Sequence, residues 1–153
     1  MGDKEIESTR DNQTVRIILN SLDGTRIETD TNSNNVSFDV DVKMDELNRT
    51  NNDLTLGFLL TITTKPSLVQ YEAGGVAVVS GGRKAFDEAL DIDENSDVPR
   101  ILHTIYQKVF TSLYILSSLI DMPYPPPDLI HNPYQVRELV DGQGVLEVAQ
   151  QVE

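Results

Sequence analysis

The chain has 153 residues, 39% apolar and 24% charged, enough to build the core of one domain and little more. Its formal net charge of −13 offers no basic face to a phosphate backbone, so nucleic acid is not an expected partner. With no cysteine, a disulfide framework, a thiolate-held metal and a thiol nucleophile are all excluded.

Residues 1–13 are charged and aperiodic; they read as a flexible acidic tail and not as a signal peptide. Val15-Arg16-Ile17-Ile18-Leu19 is β-rich, and Asp23-Gly24 within Leu22 to Arg26 carries the signature of a tight turn. Residues 30–35 form a polar loop. From Val36 to Asp45, Val36, Phe38, Val40, Val42 and Met44 alternate with Ser37, Asp39, Asp41, Lys43 and Asp45. That period places the apolar side chains on one face and the charges on the other, as in an antiparallel sheet with one wet side.

After a polar turn at 46–53 the alternation resumes. Leu54, Leu56, Phe58, Leu60 and Ile62 face opposite Thr55, Gly57, Leu59, Thr61 and Thr63, until Lys65-Pro66 breaks the strand. Leu68 to Glu72 reads as a short strand, separated by Gly74-Gly75 from Val76 to Val79. The expectation is an α+β fold: an antiparallel meander of four strands, five if residues 15–29 add one, packed on one long helix.

Residues 80–97 form an acidic connection in which Lys84 to Leu90 is long enough for one or two helical turns. Asp97 suits an N-cap and Pro99 the first turn of the long helix. Val98, Ile101, Leu102, Ile105, Val109, Leu113, Leu116 and Ile120 recur at helical spacing as a core-facing stripe. Tyr106, Phe110, Tyr114 and Leu119 make that stripe wider than one sheet face needs. Pro123 and Pro125-Pro126-Pro127 end the helix by Met122 and hold the exit extended. Leu129-Ile130 and Pro133-Tyr134 read as anchors. The domain therefore spans 14–134, with 135–153 a C-terminal tail or weak helix. No stretch reaches the length of about 18 apolar residues required of a membrane span, so no membrane insertion is expected, and the chain reads as cytoplasmic.

Chemistry is sparse. His103 and His131 lack a second ligand at fixed spacing, so no metal or other cofactor is expected. There is no nucleophile elbow, and Ser80 to Lys84 lacks the spacing of a phosphate loop. Asp87, Glu88, Asp91, Asp93, Glu94 and Asp97 lack the glycine of a calcium loop and read as a solvated acidic stretch. The carboxylates of Asp39, Asp41 and Asp45 lie open to water along one strand, which leaves them untuned for acid–base work. The chain reads as not an enzyme.

The order of elements carries a resemblance. Val-Ser-Phe-Asp-Val-Asp-Val-Lys-Met-Asp (36–45) is followed by Leu-Thr-Ile-Thr-Thr (60–64) and by the glycine-containing 68–81. A helix opening Val-Pro-Arg-Ile-Leu (98–102) and a proline-rich exit (125–130) complete it. Over roughly residues 36–133 the chain resembles the SecB family of protein-export chaperones, as a divergent member, an archaeal one among the options. Asp121-Met122-Pro123-Tyr124 stands where the family usually has a glycine before the prolines. Gln70 stands where it tends to have an acidic residue facing the motor ATPase SecA.

The resemblance implies an ATP-independent holdase, a dimer of dimers (homotetramer) that wraps non-native polypeptides around apolar grooves. Tyr106, Phe110, Leu113, Tyr114, Leu119 and Tyr71 are the client-groove or subunit-interface candidates. Asp39, Asp41, Asp45 and Gln70 would form an acidic sheet face for a partner, a translocation motor in the family. The alternative is a non-catalytic oligomeric adaptor that binds one folded partner; a small-molecule-binding domain or enzyme with a site between helix and sheet is a third reading.

Overall fold

A computed structural model describes residues 14–27 and 35–130. Expectations for the acidic tail at 1–13, most of the loop at 30–35, His131, Pro133-Tyr134 and the terminal helix lie outside the described residues. The alternating segments become four strands: β1 Thr14–Arg26, β2 Ser37–Arg49, β3 Asp53–Lys65 and β4 Val69–Ser80. They form one antiparallel sheet in the order β1-β4-β3-β2. Two helices follow, α1 Arg83–Leu90 and α2 Arg100–Leu119. The expected α+β class is present, with four strands. β2, β3 and β4 are a meander, and β1 adds at its far side.

Two glycine signals have a different meaning from the one their local sequence suggests. Gly74 and Gly75 lie inside β4, which is unbroken, because β1 passes so close that a Cβ on Gly75 would strike the Ile18 carbonyl. Gly24 is a strand residue, not part of a turn. It gives room to α2, since a Cβ there would lie 2.8 Å from Leu116 Cδ2 and 3.3 Å from Ile120 Cδ1. α2 therefore runs along the edge strand, and Arg26 Nη1 donates to the Ile120 carbonyl at 3.1 Å, satisfying a group at the helix end.

The turns follow local chemistry. Thr50 Oγ1 accepts from the Asp53 and Asn52 amides between β2 and β3, so the polar turn is tighter than 46–53. Thr64 Oγ1, buried, donates to the Pro66 carbonyl and accepts from the Leu68 amide at 2.9 Å, folding the chain from β3 into β4. Asp97 does not cap α2. Its φ of 64° places it in the left-handed region, while Pro99 holds the N-cap position. The α1–α2 loop is tied instead by the Arg100 amide to the Asp91 carbonyl, 2.9 Å, and the Asp97 amide to the Asp93 carbonyl, 2.7 Å.

The core lies between one sheet face and the helices. Leu54, Leu56, Phe58, Leu60 and Ile62 of β3 are buried with Val69, Tyr71, Ala73, Ala77 and Val79 of β4. Ile101, Leu102, Ile105, Tyr106, Val109 and Leu113 of α2 face them, and Met122, Leu129 and Ile130 join the same cluster. Val98, Leu116 and Ile120, expected in the same stripe, are only partly buried. The opposite sheet face is less polar than its alternation suggests, because Ile18, Leu47 and Leu59 lie on it among the charges.

Candidate functional site

Helical spacing lays aromatic rings along one side of α2. Tyr106 and Phe110 have ring centroids 6.2 Å apart, as do Phe110 and Tyr114. The chain leaving the helix returns Tyr124 to this row, 6.3 Å from Phe110 and 4.7 Å from Tyr114, both edge-on. Two tyrosine hydroxyls secure that return: Tyr71 Oη donates to the Pro123 carbonyl at 2.6 Å and Tyr106 Oη to the Pro126 carbonyl at 2.7 Å. The prolines have no amide hydrogen to offer, and their carbonyls serve as the anchor points.

Burial divides the candidates. Tyr71, Tyr106 and Leu113 are fully enclosed in the core and contribute no outer surface. Burial pushes the Tyr71 hydroxyl up to about 12, a hydrogen bond with Ser117 pulling the other way. It raises that of Tyr106 as well, helped by the charge of Asp128. Phe110 is half-buried, whereas Tyr114 is 49% and Leu119 76% exposed. Tyr124 belongs to the exposed aromatic row and Ile115 is exposed about 100° further round α2, although the periodicity of the core stripe had no place for either. Leu22, on the helix-facing side of β1, is also exposed near its edge. What results is an apolar, aromatic surface on the outside of α2 that the described residues leave open.

The acidic sheet-face candidates lie on the far side of the sheet. Asp39, Thr63 and Gln70 are neighbours in one cross-strand row, and Asp41 and Asp45 fall in the rows above. Burial raises the Asp39 carboxyl above its ordinary value, the nearby Lys65 opposing and Asp41 reinforcing the shift. These residues form a surface distinct from the aromatic row of α2, with the sheet in between.

Among the described residues, a hydroxyl–imidazole contact joins the α1–α2 loop to α2. Ser96 Oγ lies 2.7 Å from His103 Nε2, and Asp93 Oδ2 lies 3.9 Å from the same nitrogen. A nucleophile relay needs the carboxylate on the other ring nitrogen. Ser96 is also only 5% exposed, so this group serves to tie the acidic loop to α2. Backbone amides of Asn95 and Ser96 hold the Asp93 carboxyl below its usual range. Among the described residues no group of three His, Cys, Asp or Glu side chains is placed to hold a metal ion. Two surface hollows, about 140 Å³ beside Val15 and Thr104 and about 300 Å³ beside Arg49 and Arg83, bring together no catalytic chemistry. No helix among the described residues is long and apolar enough to cross a membrane.

No family model and no curated protein matches this sequence. Solved structures do. The Mycobacterium tuberculosis SecB-like chaperone Rv1957, determined in complex with a ChAD peptide from the HigA1 antitoxin, aligns over 82% of this chain and 96% of its own. The TM-score is 0.51 and the identity 9%, so what is shared is the fold. A Streptococcus agalactiae protein of unknown function aligns over 74% of this chain and 94% of its own at TM-score 0.41 and 12% identity. The fold is SecB-like.

Proposed function

We propose that this protein is a non-catalytic, ATP-independent holdase that binds non-native polypeptide segments, with the outer surface of α2 as its client site. One observation carries the reading: Phe110, Tyr114 and Tyr124 form a connected aromatic row outside the core, and Ile115 and Leu119 add exposed aliphatic side chains further round α2. Such a surface gives weak, sequence-tolerant contacts through π faces and apolar edges and requires no complementary shape in the client. The SecB-like fold supports the same reading, since a protein of that fold holds a peptide from another protein. Self-association as a dimer or dimer of dimers would cover part of the surface and leave the remainder for clients. A charge of −13 keeps such a chain dispersed and favours basic clients, in a cytoplasmic setting like that of export chaperones.

The test combines native mass with an aggregation assay on two unrelated unfolded proteins. A holdase suppresses aggregation of both without nucleotide, and Tyr114→Ser with Leu119→Ser weakens that suppression. A monomer that leaves both clients to aggregate would overturn the proposal, and suppression of one alone would favour an adaptor.

A further inference from the structure

β2 ends in an ion pair that a straight strand could not make. Residues three apart on a regular strand point to opposite faces. The bulge in β2 between Glu46 and Asn48 removes that difference, so Glu46, opposite Leu56, and Arg49, opposite Leu54, both turn toward the helices. Glu46 then accepts from one edge of the Arg49 guanidinium, Nε at 3.2 Å and Nη2 at 3.0 Å. The same guanidinium lies over the Phe86 ring of α1, 5.4 Å from its centroid. Arg49 is thereby held in plane and direction, and its Nη1 is left without a hydrogen-bond partner among the described residues.

The hollow of about 300 Å³ opens at this point, lined by Arg49, Thr50, Asn51, Arg83 and Phe86. Its frame is fixed where the β2–β3 turn meets the start of α1. The Gly81 amide donates to the Asn52 carbonyl at 3.0 Å, and Ser80 Oγ donates to Asp53 Oδ1 at 2.6 Å. Gly82, with φ of 92°, turns the chain into α1 beside the Asn51 carbonyl, a conformation that a larger residue would adopt only with strain. Asn51 and Arg83 therefore border the same space by backbone design.

The polar groups around this space are unspent. Arg83 and the Asn51 side chain make no hydrogen bond or ion pair among the described residues. Asp87, one turn along α1 from Arg83, forms no ion pair with it and acts at longer range on Arg49. This is unexpected in a chain with 25 acidic and 12 basic residues, where carboxylates are in excess. Two guanidinium groups bordering one hollow repel each other, and an anion between them reverses the sign of that interaction.

We propose that this hollow binds the phosphate group of a small soluble phosphomonoester, with Arg49 Nη1, the Arg83 guanidinium and the Asn51 side-chain amide as its donors. Three donor groups from β2, the turn and α1 match a tetrahedral phosphate with three terminal oxygens. A carboxylate, planar and with two oxygens, is served by a single guanidinium edge, as Glu46 shows. Phe86 lies under Arg49 at 2% exposure and offers no face to stack an aromatic ligand, which leaves the phosphate as the recognised group. The site shares no residue with the aromatic surface of α2 and does not depend on the holdase reading.

Isothermal titration of the full chain with glycerol 3-phosphate tests the site, sodium chloride being adjusted to keep ionic strength constant. Constant ionic strength removes the general screening that any salt gives a chain of charge −13. Binding should saturate at one ligand per chain, and inorganic phosphate should compete with it. Arg83→Gln, at an exposed position, should weaken binding about tenfold, the scale of one charge-assisted hydrogen bond. Arg49→Gln should weaken it as much, on a less stable fold, since it also loses Glu46 and the contact with Phe86. Asp87→Asn should tighten binding, whereas Lys108→Gln, on α2, should leave it unchanged. Tyr114→Ser with Leu119→Ser should leave phosphate binding intact, and Arg83→Gln should leave aggregation suppression intact, so the two readings stand or fall separately. Unchanged affinity in Arg83→Gln would overturn the proposal. So would equal binding of acetate, absence of saturation, or binding confined to vesicles that carry phosphatidic acid.

Discussion

Tyr114 meets Tyr124 edge-on, with ring centroids 4.7 Å apart and planes inclined at 72°. One ring comes from the helix and the other from the proline-rich exit, so the pair joins two segments at the centre of the exposed aromatic surface. Both rings are about half exposed, and neither is needed to close the core. Tyr124→Ala should therefore leave the fold intact and weaken client retention by about 0.5–1.5 kcal/mol, the range of an aromatic pair. Fluorescence anisotropy of a labelled unfolded client measures this. Unchanged retention in Tyr124→Ala and Tyr114→Ala would remove both rings from the client site.

Leu113 and Leu119 belong to the same helix and have opposite surroundings, one fully buried and the other 76% exposed. Leu113→Ala should lower unfolding free energy by about 2–5 kcal/mol through lost burial and a cavity. Leu119→Ala should change it by no more than about 0.5 kcal/mol, because that side chain stays in water in both states. Urea titration of the two variants checks the contrast. Equal losses would mean that Leu119 is covered in solution by another subunit.

Gly75 and Gly24 are needed for space, and to different degrees. Gly75→Ala would press a methyl group on the backbone carbonyl of Ile18, which cannot rotate away, and should cost about 3 kcal/mol or more. Gly24→Ala meets the flexible ends of Leu116 and Ile120, which can yield, so its cost should stay nearer about 1 kcal/mol. Melting temperatures of the two variants should rank in that order.

The Tyr71 hydroxyl, raised to about 12 by burial, makes stability depend on alkaline pH. In the unfolded chain a tyrosine ionises near about 10, so the unfolded state releases its proton first as pH rises. Stability from this group is complete below about pH 10 and declines through about pH 12. Tyr106 acts in the same direction. Tyr71→Phe should lower stability at neutral pH by removing the bond to Pro123, and should flatten the fall above pH 10. Denaturant melts across that range read both effects; an unchanged alkaline slope would contradict the assignment.

Much of the fold was legible locally. In β2 and β3 the period of two depends only on side chains pointing to alternate faces, so Val36 to Met44 and Leu54 to Ile62 declared their inward faces without any partner strand. The helical stripe from Ile101 to Leu113 did the same, and the prolines marked its end. The glycines were misleading for a physical reason. A glycine chosen for left-handed backbone and one chosen for close approach look identical in sequence, so Gly24 resembled a turn and Gly74-Gly75 a break.

By itself, then, the sequence determined the α+β class, the faces of β2, β3 and α2, and a surplus of apolar side chains on the helix. Only the tertiary structure decided where that surplus lies. Burial needs a partner surface, and the partner of each ring is set by strand order and by the path of the exit segment. β1 joined β4, Tyr71 and Tyr106 turned inward to hold the Pro123 and Pro126 carbonyls, and Tyr124 came back to stand against Tyr114. The bulge at Leu47 likewise placed an apolar side chain over Gly57 on a face that alternation alone assigns to water.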